Sequence, residues 1–170
     1  MSQEAKPAKP IVVGIDGSEF SVQALRWAVS EAHRAGTSVS AIMAWQPYAV
    51  APSSVPLPVL EQSVSEAEQR GLRETLAEAV ERGTSGLPEV EVRAELVPGP
   101  PGMVLADASA HARLLVLGSH GRGYLVTALI GSVALACVRD SLCPVLVLPP
   151  GVTRRLGEDE QRLAAGPSTH

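Results

Sequence analysis

Leu114-Leu115-Val116-Leu117-Gly118-Ser119-His120-Gly121 runs from a continuous apolar stretch into glycines, and Gly131-Ser132 follows after nine further residues. The apolar run Leu114 to Leu117 reads as a buried strand. Beyond Ser132, the residues Val133, Ala136 and Cys137 keep the spacing of an apolar helix face. The glycines therefore sit where a strand hands over to a helix. A helix start offers unpaired N-H donors and partial positive charge, and glycine lets a ligand approach the backbone with no Cβ in the way. That combination suits an anion, phosphate above all. It is neither Gly-x4-Gly-Lys-Ser/Thr, which occurs nowhere in the chain, nor a dinucleotide fingerprint, because Gly121-Arg122-Gly123 has no third glycine in place.

Working outward, Ile11-Val12-Val13-Gly14-Ile15 is a first strand that ends at the turn Asp16-Gly17-Ser18. Val22, Leu25, Val29 and Ala32 then recur at helical spacing, with Ser18 as N-cap and Gly36 as the C-terminal stop. Val39 to Trp45 makes a second strand. Residues 46 to 58 carry four prolines and no periodicity, a loop. Leu60, Val64, Ala67, Gly71, Thr75 and Ala79 predict a long amphipathic helix running to Gly83. In Val90 to Leu96, apolar residues alternate with Glu91, Arg93 and Glu95, the pattern of a strand at a sheet edge with one face in water. The turn Pro98 to Gly102 leads into a helix with Val104, Leu105 and Ala108, and Pro144 to Leu148 is a fifth strand stopped by Pro149-Pro150.

Strand and helix alternate throughout, so the fold class is α/β: a single doubly wound, Rossmann-like domain with a parallel sheet and helices on both faces. The domain is expected over residues 10 to 151, with disordered ends at 1 to 9 and 152 to 170, which lack apolar periodicity. At 170 residues, 45% of them hydrophobic, the chain is long enough to bury its own core. A net charge of -4 supplies no basic field for nucleic acid or an anionic membrane. No apolar stretch reaches membrane-spanning length and the N-terminus has no signal-peptide centre, so the expected location is cytoplasmic. Arg outnumbers Lys twelve to two, which points to a high-GC bacterial source. Cys137 and Cys143 read as small core residues. His33 and His111, on helices without partner ligands, read as surface or cap positions.

Gly-x2-Gly-x9-Gly-Ser, the start Val-Gly-Ile-Asp-Gly-Ser and the end Cys-Pro-Val-Leu-Val-Leu together resemble the universal stress protein family, over roughly residues 10 to 149. The resemblance implies a sheet order of 3-2-1-4-5 and an ATP site of the following residues. Gly118, Gly121, Gly131 and Ser132 would contact phosphates, with His120 as a further donor and Val133 offering its backbone N-H. Arg122 is optional. Asp16, beside Gly17 at the end of strand one, would accept from ribose hydroxyls or hold a Mg²⁺ ion brought with the nucleotide, and its alternative reading is a turn residue capping the first helix. Ala44 is placed against adenine, where the family often has a His-Val pair and this chain has Met43-Ala44. Trp45 and Tyr48 could stack on a base, although a tryptophan at a strand end is more often packed.

The function implied is a nucleotide-dependent stress-response or regulatory binding protein, with slow or no ATP hydrolysis and an unidentified protein partner. Two alternatives stand beside it. One is an adenylate-transferring enzyme of the related α/β nucleotide hydrolase group, which would normally carry a Ser-Gly-Gly-rich loop in place of Asp16-Gly17-Ser18. The other is a nucleotide-free dimeric interaction protein. The apolar strand Val145 to Leu148, at a sheet edge with no charge to block pairing, is expected to form a homodimer.

Overall fold

The computed structural model of the protein describes residues 8–46, 66–119, 130–149 and 152. Within them the chain order is β1 (Ile11–Gly14), α1 (Glu19–Ala35), β2 (Val39–Trp45), α2 (Glu66–Thr84), β3 (Val92–Pro98), α3 (Pro101–Ser109), β4 (Leu114–Gly118), α4 (Ser132–Asp140) and β5 (Val145–Leu148). The five strands pair in parallel in the order β3-β2-β1-β4-β5. β1 therefore lies at the centre, with β2 and β4 as its neighbours.

Alternation along each strand splits the core into two layers. Ile11, Val13 and Ile15 join Val39, Ala41, Met43 and Val116 in a cluster with Val22, Leu25 and Val29 of α1 and Leu76 of α2. Val12, Ile42, Leu115 and Leu117 turn to the opposite side, against Leu105 of α3 and Ala134 and Cys137 of α4. Each buried leucine or valine of this kind contributes about 1.5–3 kcal/mol of transfer free energy. The continuous apolar runs of β1 and β4 follow from this arrangement, because both of their faces are covered.

α1 keeps the limits its sequence predicts. Ser18 caps the N-terminus by accepting from the Ser21 amide at 3.3 Å, and Gly36 closes the C-terminus in the left-handed region at φ 62°. Its four predicted core residues, Val22, Leu25, Val29 and Ala32, are all buried. α2 corrects the predicted stripe. Ala67 and Gly71 are exposed, while the buried side runs through Leu72, Leu76, Ala79, Val80 and Gly83. Two leucines bury more apolar area than alanine and glycine, and they set which side faces the core. Leu60 and Val64 lie outside the described residues, as do Tyr48 and most of the proline loop. β3 begins at Val92 and ends at Pro98, later than the alternation predicts, and takes the expected edge position. Proline is tolerated there because an edge strand has amides that no neighbour needs.

His33 and His111 are exposed, and both cysteines are unbridged. Cys137 is fully buried, and burial pushes its thiol up to about 11. Among the described residues no helix is long and apolar enough to cross a membrane.

Candidate functional site

The chain leaves β1 for β2 on one side and leaves β4 for β5 on the other, so the two connections part company between adjacent strands. This is the switch point at which open α/β sheets leave a crevice beyond the carboxyl ends of their strands. Gly14 is level with Ile42, and Val13 with Val116. Continuing both registers past the strand ends brings Asp16 level with Ala44 on one side and Ser119 on the other.

The β1 side of the crevice is a turn that closes on itself. Gly17 holds φ at 80°, a value that side chains other than glycine adopt at a cost. Asp16 Oδ1 accepts from the Ser18 amide at 2.9 Å and from Ser18 Oγ at 2.6 Å. Ser18 Oγ in turn accepts from the Ser21 amide, and Ser21 Oγ donates to the Ser18 carbonyl at 2.9 Å. Asp16 thus organises the start of α1, as its structural reading predicts. Glu19 adds a negative charge to the first turn, and Gln23 first, then Arg82, hold its carboxyl below the ordinary glutamate range.

The β4 side is built differently. Gly118 ends the strand level with Leu148 and lies against the first turn of α1, where an added Cβ would come within 2.8 Å of Phe20 Cβ and 3.0 Å of its backbone. Ser119, buried to 2% exposure, donates its amide to the Leu148 carbonyl and accepts from the Gly131 amide at 2.9 Å. That bond ties the start of α4 to the end of β4. Gly131 is the N-cap of α4 in an extended conformation, with no side-chain cap, and the first turn carries no acidic residue. A Cβ on Gly131 would stand 3.3 Å from the Ser119 carbonyl. Among the described residues, Leu135 is the first amide to bond back, to the Gly131 carbonyl. Ser132 is exposed and Val133 partly buried at this uncapped start.

Asp16 and Gly17 in the turn after β1, Gly118 at the end of β4, and Gly131, Ser132 and Val133 at the start of α4 therefore gather at one end of the sheet. Ala44, partly buried and paired with Val97, extends that end along β2, and Trp45 beside it is half-buried. His120, Gly121 and Arg122 lie outside the described residues. Neither Gly118 nor Gly131 has a positive φ. Their missing Cβ atoms serve close approach: to Phe20 in one case and to the Ser119 carbonyl in the other. Sequence reasoning missed Phe20 and Ser119: Phe20 meets Gly118 through its Cβ and backbone, and Ser119 bonds through its amide and carbonyl, contacts that no residue-type pattern advertises.

A model of the universal stress protein family matches residues 7–149. The chain belongs to the universal stress protein family. A universal stress protein of Mycobacterium tuberculosis is 40% identical over 139 residues, which is 81% of this chain and 44% of that protein. One from Mycolicibacterium smegmatis is 32% identical over 141 residues, 83% of this chain and 46% of that protein. The chain thus spans about half the length of these relatives. Among solved structures, a universal stress protein in complex with cAMP superimposes with a TM-score of 0.62 at 23% identity, covering 85% of this chain and 98% of that one. The Archaeoglobus fulgidus universal stress protein in complex with dAMP gives 0.59 at 24% identity, covering 84% and 98%. These likenesses establish the same fold, including the strand order that the family resemblance implies.

Proposed function

We propose that this universal stress protein binds an adenine nucleotide, ATP in the first instance, in the crevice between β1 and β4, and that occupancy alters a surface read by a regulatory protein partner. The observation that carries the reading is the start of α4: a glycine N-cap with neither side-chain cap nor acidic first turn, tied to the end of β4 beside the switch point. Such a helix start supplies backbone donors and a positive dipole end to phosphate. Gly118, His120, Gly121, Gly131, Ser132 and Val133 form the phosphate side. Asp16 and Gly17 meet the ribose. Ala44, small and at the end of β2, leaves room for adenine. The cAMP and dAMP held by the two structural neighbours support the adenine class.

Mg²⁺ fits this site only as a companion of the nucleotide. Among the described residues no three His, Cys, Asp or Glu side chains gather to hold a metal. A hard cation held by phosphates needs one or two carboxylates from the protein, and Asp16 is the one at hand. Turnover is the smaller part of the reading. Residues 118 to 133 contain no lysine to stabilise transferred phosphate charge, so hydrolysis is expected far below the enzyme median of about 10 s⁻¹. The protein would act in the cytoplasm as a homodimer paired through β5, with residues 10 to 151 as the binding unit.

The test is thermal denaturation with and without ATP and Mg²⁺, alongside native mass spectrometry of protein purified without added nucleotide. A ligand bound only to the native state adds about 2.7 kcal/mol at a hundredfold excess over its Kd. Wild type should shift upward, and Gly121→Val, which places a β-branched side chain in the phosphate loop, should not. Equal shifts in the two proteins would refute phosphate binding at this loop.

A further inference from the structure

α3 and α4 lie side by side over one layer of the core and touch where a Cβ on Gly102 would stand 2.8 Å from the Cβ of Ala136. Towards the C-terminal ends of both helices, Met103, Ala106, Asp107 and Ala110 line, with Asp140 and Leu142, a groove of about 320 Å³. It sits where the chain enters β4 and β5, at the opposite end of the sheet from the nucleotide crevice. Met103 is 63% exposed and Leu142 78%. Leu142 is nevertheless fixed in place. Its amide donates to Ser109 Oγ at 2.8 Å, and Ser109, fully buried, donates in turn to the Ala106 carbonyl. The fold thus holds a large apolar side chain out in water.

The groove is electronegative. Both helices end at it, each bringing the negative end of its dipole, and the charged side chains lining it are both carboxylates. Asp107 is exposed and, among the described residues, has no ion-pair partner. Asp140 shares its carboxylate with its exposed neighbour Arg139 at 2.7 Å, a surface pair that an incoming cation can join or displace. α3 carries no basic residue in its last turn, and Lys9, just before β1, reaches over to within 3.4 Å of the Ala110 carbonyl. The chain itself places a cation at this helix end.

We propose that this groove is the surface the regulatory partner reads, and that it takes a segment of the partner in which arginine or lysine alternates with large apolar residues. The apolar side chains would lie between Met103 and Leu142, and the cations would meet Asp107 and Asp140. The proposal rests on the reading that a protein partner senses nucleotide occupancy, and it names where. Charge selects the occupant. An acidic or purely apolar segment would cover Asp107 with no partner for its carboxylate, which is costly, whereas a cationic one pairs it while covering both exposed apolar side chains. α4 supplies the connection to the nucleotide. It is one nine-residue helix, about 14 Å long, with its start at the crevice and its last residue, Asp140, in the groove. A nucleotide that seats the start of this rod also sets the position of its end.

Fluorescence anisotropy of a labelled peptide of alternating leucine and arginine, titrated with the full chain, tests it. Wild type should bind, more weakly as salt rises. Asp107→Asn and Leu142→Ser should each weaken binding about tenfold, with thermal midpoints near wild type because both positions are exposed. Glu95→Gln, exposed on β3 at the other edge of the sheet, should leave binding unchanged. Saturating ATP and Mg²⁺ should shift the Kd of the peptide about fivefold or more, and saturating peptide should shift the Kd of ATP by the same factor. Equal affinity in wild type, Asp107→Asn and Leu142→Ser, or equal binding of a peptide with glutamate in place of arginine, would overturn the groove. Peptide binding indifferent to ATP, in protein that calorimetry shows to bind ATP, would overturn the connection through α4. ATP binding with no peptide bound would overturn the groove and keep the nucleotide reading, and peptide binding with no ATP bound would do the reverse. Self-association that Leu142→Ser abolishes, with no peptide bound by wild type, would make a second copy the occupant and overturn the proposal.

Discussion

Two helices begin at the carboxyl ends of adjacent strands, and only one of them is finished from within. α1 starts behind Asp16, Ser18 and Ser21, which bond to one another and to the backbone, and Glu19 supplies charge to its first turn. α4 starts at Gly131 with no side-chain cap and no acid. Among the described residues, side chains thus meet the donors and positive end of the helix start at α1, and none does so at α4. A nucleotide lying across the crevice should put its phosphates at α4 and its uncharged sugar near α1.

The largest expected effect strikes the seam between the two. Gly118→Val would drive a side chain into the first turn of α1, whose Phe20 backbone stands 3.0 Å from the Cβ position. Overpacking against backbone costs typically about 1–3 kcal/mol, so chemical denaturation should show a loss of that order, with nucleotide binding weakened through the displaced turn. A variant as stable as wild type would mean the two helix starts are not braced against each other. Next comes Ser132→Asp, which gives α4 the acid it lacks. The helix should gain about 0.3–1 kcal/mol from its dipole while the phosphates meet a like charge, so the melting point holds or rises as ATP affinity falls at least tenfold. Calorimetric titration of the folded variant separates the two.

How far the chain announces this contrast depends on the kind of contact involved. The β1 and β4 strands are legible because both faces are buried, and α1 is legible because Ser18 and Gly36 punctuate it. The buried side of α2 is not, since Ala67, Gly71 and Thr75 keep a helical spacing as regular as that of Leu72, Leu76 and Val80. Burial chose the leucines. Gly118 and Gly131 stand out as a motif, yet the reason for Gly118 is Phe20, brought close only when β1 and β4 pair. Ser119 is invisible to residue-type reasoning because it works through its amide and carbonyl.

Smaller effects sharpen the α1 side. Ser18→Ala removes the cap and should cost about 1 kcal/mol in urea denaturation, with ATP affinity changed far less than in Ser132→Asp. Equal loss of affinity would place phosphate at α1. Glu19→Gln should matter least. Its carboxyl is held below the ordinary glutamate range, so its contribution is present above that range and lost as pH falls through the lowered value. Its side chain is 59% exposed and its partner Arg82 55%, so the effect should be at most a few tenths of a kcal/mol. Stability of wild type and variant, compared at neutral pH and on the acid limb, should differ only at the former.

Hydrogen exchange at single amides, with and without ATP and Mg²⁺, tests the central claim most directly. The amides of Ser132 and Val133, at the uncapped start of α4, should exchange quickly in the free protein and slow at least tenfold when nucleotide is bound. The amide of Val22, already bonded to the Ser18 carbonyl at 3.1 Å, should change little beyond any global stabilisation. Binding that protects the start of α1 and leaves Ser132 and Val133 unchanged would contradict the account.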